Sequence, residues 1–170
     1  MKWCLFTGTW RLTSSEVEID VRTKVREVLS RGDGIVTGGA TGVDYFALDE
    51  LSKINGDFRM VKVFIPALLP AYIQDYRDNW LQLPITANAI DALETILYDI
   101  KKKNPGALFE SPMTEITQDD YNARHDDEVK HSDMVYAFQV NDSTGTQDTI
   151  DKAKKAGLPV VFHKKYTIEE

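Results

Sequence analysis

The sequence predicts an α/β protein, a Rossmann-like open parallel sheet with helices on both faces, in a single domain with a helical insertion. Three observations carry this. Short apolar runs closed by glycine or proline recur along the chain, and helical stretches with one apolar face alternate with them. Two of the runs also lead straight into Gly/Ser/Thr-rich turns that open helices.

Lys2-Trp3-Cys4-Leu5-Phe6-Thr7-Gly8 is a buried first strand. A capping box of Ser15 and Glu18 starts a helix with Val21, Val25, Val28 and Leu29 on one face, stopped by Gly32. Gly34-Ile35-Val36-Thr37 is a second strand, followed by Thr37-Gly38-Gly39-Ala40-Thr41-Gly42 and a helix carrying Val43, Phe46, Ala47, Leu51 and Ile54. Met60 to Ile65 is a third strand, stopped by Pro66. Residues 68–84 mix aromatics, charges and prolines. A helix with Ile90, Leu93, Leu97 and Ile100 follows, closed by Asn104-Pro105-Gly106. Gln118 to His131 reads as a polar helix and Asp133 to Phe138 as a fourth strand. Asn141 to Gly145 is a second turn, opening a helix with Ile150, Ala153 and Ala156 that ends at Gly157 and Pro159. Leu158 to Phe162 is the last strand. The expected unit is one domain over residues 1–170, with 67–117 as a lid or inserted subdomain.

Bulk properties narrow the function. At 170 residues and 42% hydrophobic content the chain can bury a core without disulfides. Cys4, the single cysteine, reads as a core residue, and His125, His131 and His163 show no zinc-type spacing, so no metal is expected. No leader-like stretch or run of about 18 apolar residues stands out, so a cytoplasmic protein without a membrane partner is expected. A net charge of −7 argues against a nucleic-acid partner, whose affinity rests on basic residues.

The two turns carry the chemistry. A strand, a Gly-rich turn and a helix together leave unpaired N–H groups at the positive end of the helix dipole, a ready anion site. Gly38, Gly39 and Gly42 are expected to let a phosphate approach the backbone, with Thr37, Ala40 and Thr41 beside it. Asp44 either caps its helix or accepts from ribose hydroxyls. Ser143, Thr144, Gly145 and Thr146 repeat the arrangement. Gly8 and Thr9 end the first strand on the same side of the sheet, where Trp10 and Arg11 can flank the ligand. Arg124 is the candidate phosphate clamp. Tyr72, Tyr76 and Trp80, at i, i+4 and i+8, form a helical stripe read chiefly as core packing.

Ile35 to Asp44 resembles the GGAxGxD segment of the SLOG superfamily, which includes the LOG phosphoribohydrolases, the DNA-processing protein A family and the YpsA-like proteins. Arg124-His125, the strand 133–138 and Ser143-Thr144-Gly145-Thr146 resemble the second half of that pattern. The resemblance implies a Rossmann-like fold, a nucleotide-derived ligand and a homo-oligomer. Where LOG enzymes carry a catalytic glutamate, Thr149 stands here, with Asp148 next to it. Asp142-Ser143 stands where those enzymes have proline and glycine.

The expected function is binding of a nucleoside monophosphate or ADP-ribose-like ligand at the carboxyl ends of the strands, as a sensor or binding module, without further cofactor. The alternative is an N-glycosidic-bond hydrolase or transferase, with Asp148 and Arg124 as candidate catalytic residues and Asp44 and Glu128 as further acids. Single-stranded DNA binding is the least favoured reading.

Overall fold

Strands β1 (Trp3–Gly8), β2 (Gly34–Thr37) and β3 (Val61–Ile65) alternate with helices α1 (Ser15–Ser30) and α2 (Val43–Ile54) in the first part of the chain. The computed structural model describes all residues, Met1–Glu170. After β3 come α3 (Leu69–Asp75), a π-helical turn (Tyr76–Trp80), α4 (Ala87–Lys103), a 3₁₀ turn (Pro105–Ala107) and β4 (Leu108–Glu110). The chain then runs through α5 (Gln118–Lys130), β5 (Met134–Val140), α6 (Thr144–Lys155) and β6 (Val160–Tyr166).

Six strands form one sheet in the order β4-β3-β2-β1-β5-β6, and every neighbouring pair is parallel. Parallel pairing requires crossover helices, and these cover the two faces unequally. One face carries a core of 32 buried residues, including Val17, Val21 and Val25 of α1, Leu48 and Leu51 of α2, and Leu93 and Leu97 of α4. The other carries only eight, among them Val129 of α5 and Ile150 and Ala153 of α6. At about 1.5–3 kcal/mol per buried aliphatic side chain, the first face supplies most of the hydrophobic stabilisation. Cys4 is fully buried there, and burial pushes its thiol up to about 11.

Several local expectations need correction. Ser14, rather than Ser15, caps α1, accepting from the Val17 N–H at 3.3 Å. The last strand runs two residues later than expected at its start and extends to Tyr166. The strand β4, absent from the sequence reading, adds to the edge of the sheet beside β3. Residues 66–107 therefore form the crossover from β3 to β4, 111–117 lead from β4 to α5, and Ile90, Leu93 and Leu97 of α4 sit in the larger core.

The start of α5 is fixed by a capping box: Thr117 accepts from the Asp120 N–H and the Asp120 carboxylate accepts from the Thr117 N–H at 2.7 Å. Only Glu128 and Val129 of this helix are buried. Its polar inner face, Tyr121, Arg124, His125 and Glu128, turns toward the carboxyl ends of the strands. No helix is long and apolar enough to cross a membrane.

Candidate functional site

The Gly-rich turn after β2 uses its donors internally. The Ala40 N–H donates to Asp44 Oδ2 at 3.1 Å, the Thr41 N–H to the Tyr76 hydroxyl at 3.1 Å, and the Val43 N–H to the Thr9 carbonyl at 3.0 Å. The Gly39 N–H reaches Thr37 Oγ1 at 3.5 Å. Asp44 is buried, and its carboxyl takes the place that an outside anion would fill at this turn. Burial pushes its carboxyl up, opposed by Arg124, the Ala40 and Gly38 amides and the Thr37 hydroxyl.

The glycines serve close packing. A Cβ on Gly38 would collide with the Glu128 carboxyl and lie 3.1 Å from the Arg124 guanidinium. On Gly39, at φ +65°, it would sit 2.9 Å from both Val63 and Ile65 in the core. On Gly42 it would strike the Thr9 carbonyl. Tyr72 and Tyr76 are buried beneath the turn, the Tyr72 hydroxyl donating to the Gly39 carbonyl at 2.9 Å. Thr37 and Thr41 are buried as well.

A cavity of about 350 Å³ opens at the carboxyl ends of β1, β2 and β5. Five segments wall it: the end of β1 and the loop after it, from Thr7 to Leu12; Ala40 and Asp44; the inner face of α5; the turn from β5 into α6; and Glu170. It thus brings together Gly8, Thr9, Ala40, Asp44, Arg124, Ser143, Thr144, Gly145 and Thr146 from the expected set. It does not bring in Thr37, Gly38, Gly39, Thr41 or Gly42, which lie behind the wall.

The start of α6 differs from that of α2. Its N-cap Ser143 makes no side-chain cap and donates instead to Thr146 Oγ1 at 2.8 Å. No protein group accepts from the Gly145 or Thr146 amide, and a Cβ on Gly145 would meet open space. Asn141 and Asp142, at φ 49° and 53°, turn the chain from β5 into this helix, a left-handed conformation that Asn and Asp tolerate best. The Asn141 side chain is clamped to the backbone of Ile168 by bonds of 2.7 and 2.9 Å. Beyond Ile168, Glu170 reaches the cavity rim and pairs with Arg11 at 2.7 Å.

On α5, Arg124 Nη1 donates to the Gly38 carbonyl at 3.0 Å, while its buried Nε has no partner. Burial works against its charge, and Tyr72, Glu128 and Asp44 more than offset that. Glu128 is 4% exposed. Burial pushes its carboxyl up to about 8; Arg124 opposes this and the Asp44 carboxylate adds to it. His125 also lines the cavity, and its Nδ1–H donates to Asp148 Oδ2 at 2.9 Å, which leaves Nε2 as an acceptor. Burial and Arg124 hold His125 below its usual range.

Asp148 lies behind His125, pinned also by Lys152 at 3.0 Å, and does not reach the cavity. Thr149 is fully buried and donates to the Gly145 carbonyl at 3.2 Å. Tyr121, Gln118 and Glu170 escaped the sequence reading. Tyr121 was legible, since 121, 124, 125 and 128 fall on one helical face; Glu170 carried no signal. No group of three or more His, Cys, Asp or Glu side chains gathers to hold a metal.

No protein-family model and no curated protein matches the sequence. Solved structures do match in shape. DNA processing protein A from Helicobacter pylori, described for its single-stranded DNA binding mode, superposes with a TM-score of 0.64 at 20% identity. That alignment covers 99% of this chain and 66% of the other. The protein TM1055, a structural-genomics target, superposes with a TM-score of 0.56 at 15% identity, covering 94% of this chain and 72% of its own. The chain spans just under two thirds of the Helicobacter pylori protein. It shares the Rossmann-like fold of DNA processing protein A and TM1055.

Proposed function

We propose that the cleft binds a nucleoside phosphate, with the phosphate at the start of α6. The observation that carries this is the pair of unpartnered amides at Gly145 and Thr146, opening into the cavity that Arg124 also lines. Free amides at a helix N-terminus and a guanidinium with a spare donor are the groups that hold phosphate. The turn after β2 plays a different part, since its Ala40, Thr41 and Val43 amides are already taken by Asp44, Tyr76 and Thr9. Single-stranded DNA, the ligand of the Helicobacter pylori protein, is the lesser option. The net charge of −7 disfavours a polyanion.

Thermal shift against nucleoside mono-, di- and triphosphates, NAD and ADP-ribose tests the proposal, because a ligand of the folded state raises stability by mass action. Gly145→Asp puts a carboxylate into open space at the amides and should abolish the shift while leaving the free protein folded. A shift that survives Gly145→Asp rules out phosphate binding at α6.

A second reading, hydrolysis of the N-glycosidic bond, is favoured by one observation: the cavity holds Glu128 raised to about 8 and His125 lowered. Near neutral pH that is a protonated acid beside a neutral base. Glu128 would protonate the departing base, and His125 Nε2 would take the proton of the attacking water. Free base released from a nucleotide panel by wild type, and lost in Glu128→Gln, is the expected result. Binding without release from any nucleotide removes this reading.

A further inference from the structure

A second cavity of about 230 Å³ opens beside the first. The two share Trp10, Ala40, Arg124, His125, Thr144 and Gly145, so the start of α6 borders both. The far wall of the second is aromatic: Tyr76 and Trp80 from the π-helical turn, and Tyr121 from α5, with Gln118 beside them.

These rings are held by their polar tips. Asp75, the last residue of α3, accepts from Trp80 Nε1 at 3.1 Å and from the Tyr121 hydroxyl at 2.7 Å. The Tyr76 hydroxyl is tied to Thr41. With their hydrogen-bonding groups satisfied at the back, the rings present apolar surface to the chamber. Trp10 meets Trp80 edge to face with centroids 5.0 Å apart, and the Arg124 guanidinium lies 5.3 Å from the Tyr121 ring. A space walled by rings, with one side-chain amide from Gln118 at its edge, fits a flat heteroaromatic group better than a sugar or an aliphatic chain.

We propose that this chamber, walled by Trp10, Tyr76, Trp80 and Tyr121, seats the base of the ligand. The ligand is then a nucleoside phosphate in which base and phosphate are read by separate parts of the cleft. This rests on the phosphate reading above and adds the class of group at the other end. The π-helical turn supplies Trp80, so part of the crossover from β3 to β4 determines specificity.

Titration calorimetry with AMP, ribose 5-phosphate and adenosine on wild type, Trp80→Leu and Gly145→Asp tests it. AMP should bind wild type more tightly than ribose 5-phosphate does. Trp80→Leu should weaken AMP about 5- to 100-fold, the range of one base–aromatic stack, and leave ribose 5-phosphate unchanged. Gly145→Asp should weaken AMP and ribose 5-phosphate together. Independently of any variant, AMP and adenosine should change wild-type tryptophan fluorescence and ribose 5-phosphate should not. AMP binding no tighter than ribose 5-phosphate, or unaltered by Trp80→Leu, overturns the base chamber and leaves the phosphate site standing. Adenosine binding with no affinity for ribose 5-phosphate does the reverse, and binding of none of the three overturns both.

Discussion

Glu128 allows a test that needs no ligand. Its carboxyl is 4% exposed and shifts from 4.5 to about 8 in the folded protein. Between those values the folded state holds a proton that the unfolded chain has released. The contribution is therefore fully favourable below the unfolded value and is lost as pH rises toward the folded one. A shift of that size corresponds to at most about 5 kcal/mol, of which about 3 kcal/mol falls between pH 5 and pH 8. Glu128→Gln keeps the shape and stays neutral throughout. Urea unfolding of both proteins across this range should give nearly equal stability at pH 5 and a variant more stable by about 3 kcal/mol at pH 8. In a chain of 170 residues that is a difference of roughly 8 °C in thermal midpoint. Repulsion from Asp44 is one of the causes of the Glu128 shift and is already contained in that figure. Parallel stability–pH curves for the two proteins would refute the reasoning, because they require Glu128 to titrate normally in the fold.

Gly39→Ala should destabilise by about 1–3 kcal/mol in urea unfolding, from a positive φ and a methyl forced against Val63 and Ile65, whereas Gly145→Ala should stay within about 0.5 kcal/mol. Equal midpoints for the two would contradict the packing role given to the first turn. Asp148→Asn removes the partner that holds up the His125 charge, so His125 should titrate at lower pH still, read from its imidazole C–H resonances. A higher value would mean the Asp148 bond does not govern that ring.

The fold was legible because its strands are apolar runs stopped by glycine or proline, and parallel pairing follows from the alternation. The strand Leu108–Glu110 was not, because three residues after a Pro-Gly turn give no periodicity to count. At the site, strand–turn–helix context marked both turns but carried no information on which of them keeps its amides free. Whether a turn's amides are free depends on Asp44 curling back on them and on Tyr76 arriving from 35 residues away. The weaker motif, Ser143 to Thr146, kept its donors because Ser143 turns to Thr146 instead of its helix. Arg124, His125 and Glu128 were each recognisable as residue types. Their convergence needed the helical face of α5 to be counted.

Asp44 in its nest of amides also gives the cleft a direction. One wall carries Asp44, an acceptor already bound to its own turn, and the opposite wall, at α6, carries free amides at the positive end of a dipole. A ligand with one anionic end meets free donors in one orientation and an occupied acceptor in the other. For the proposed ligand the cleft would then be a one-way socket, sorting head from tail.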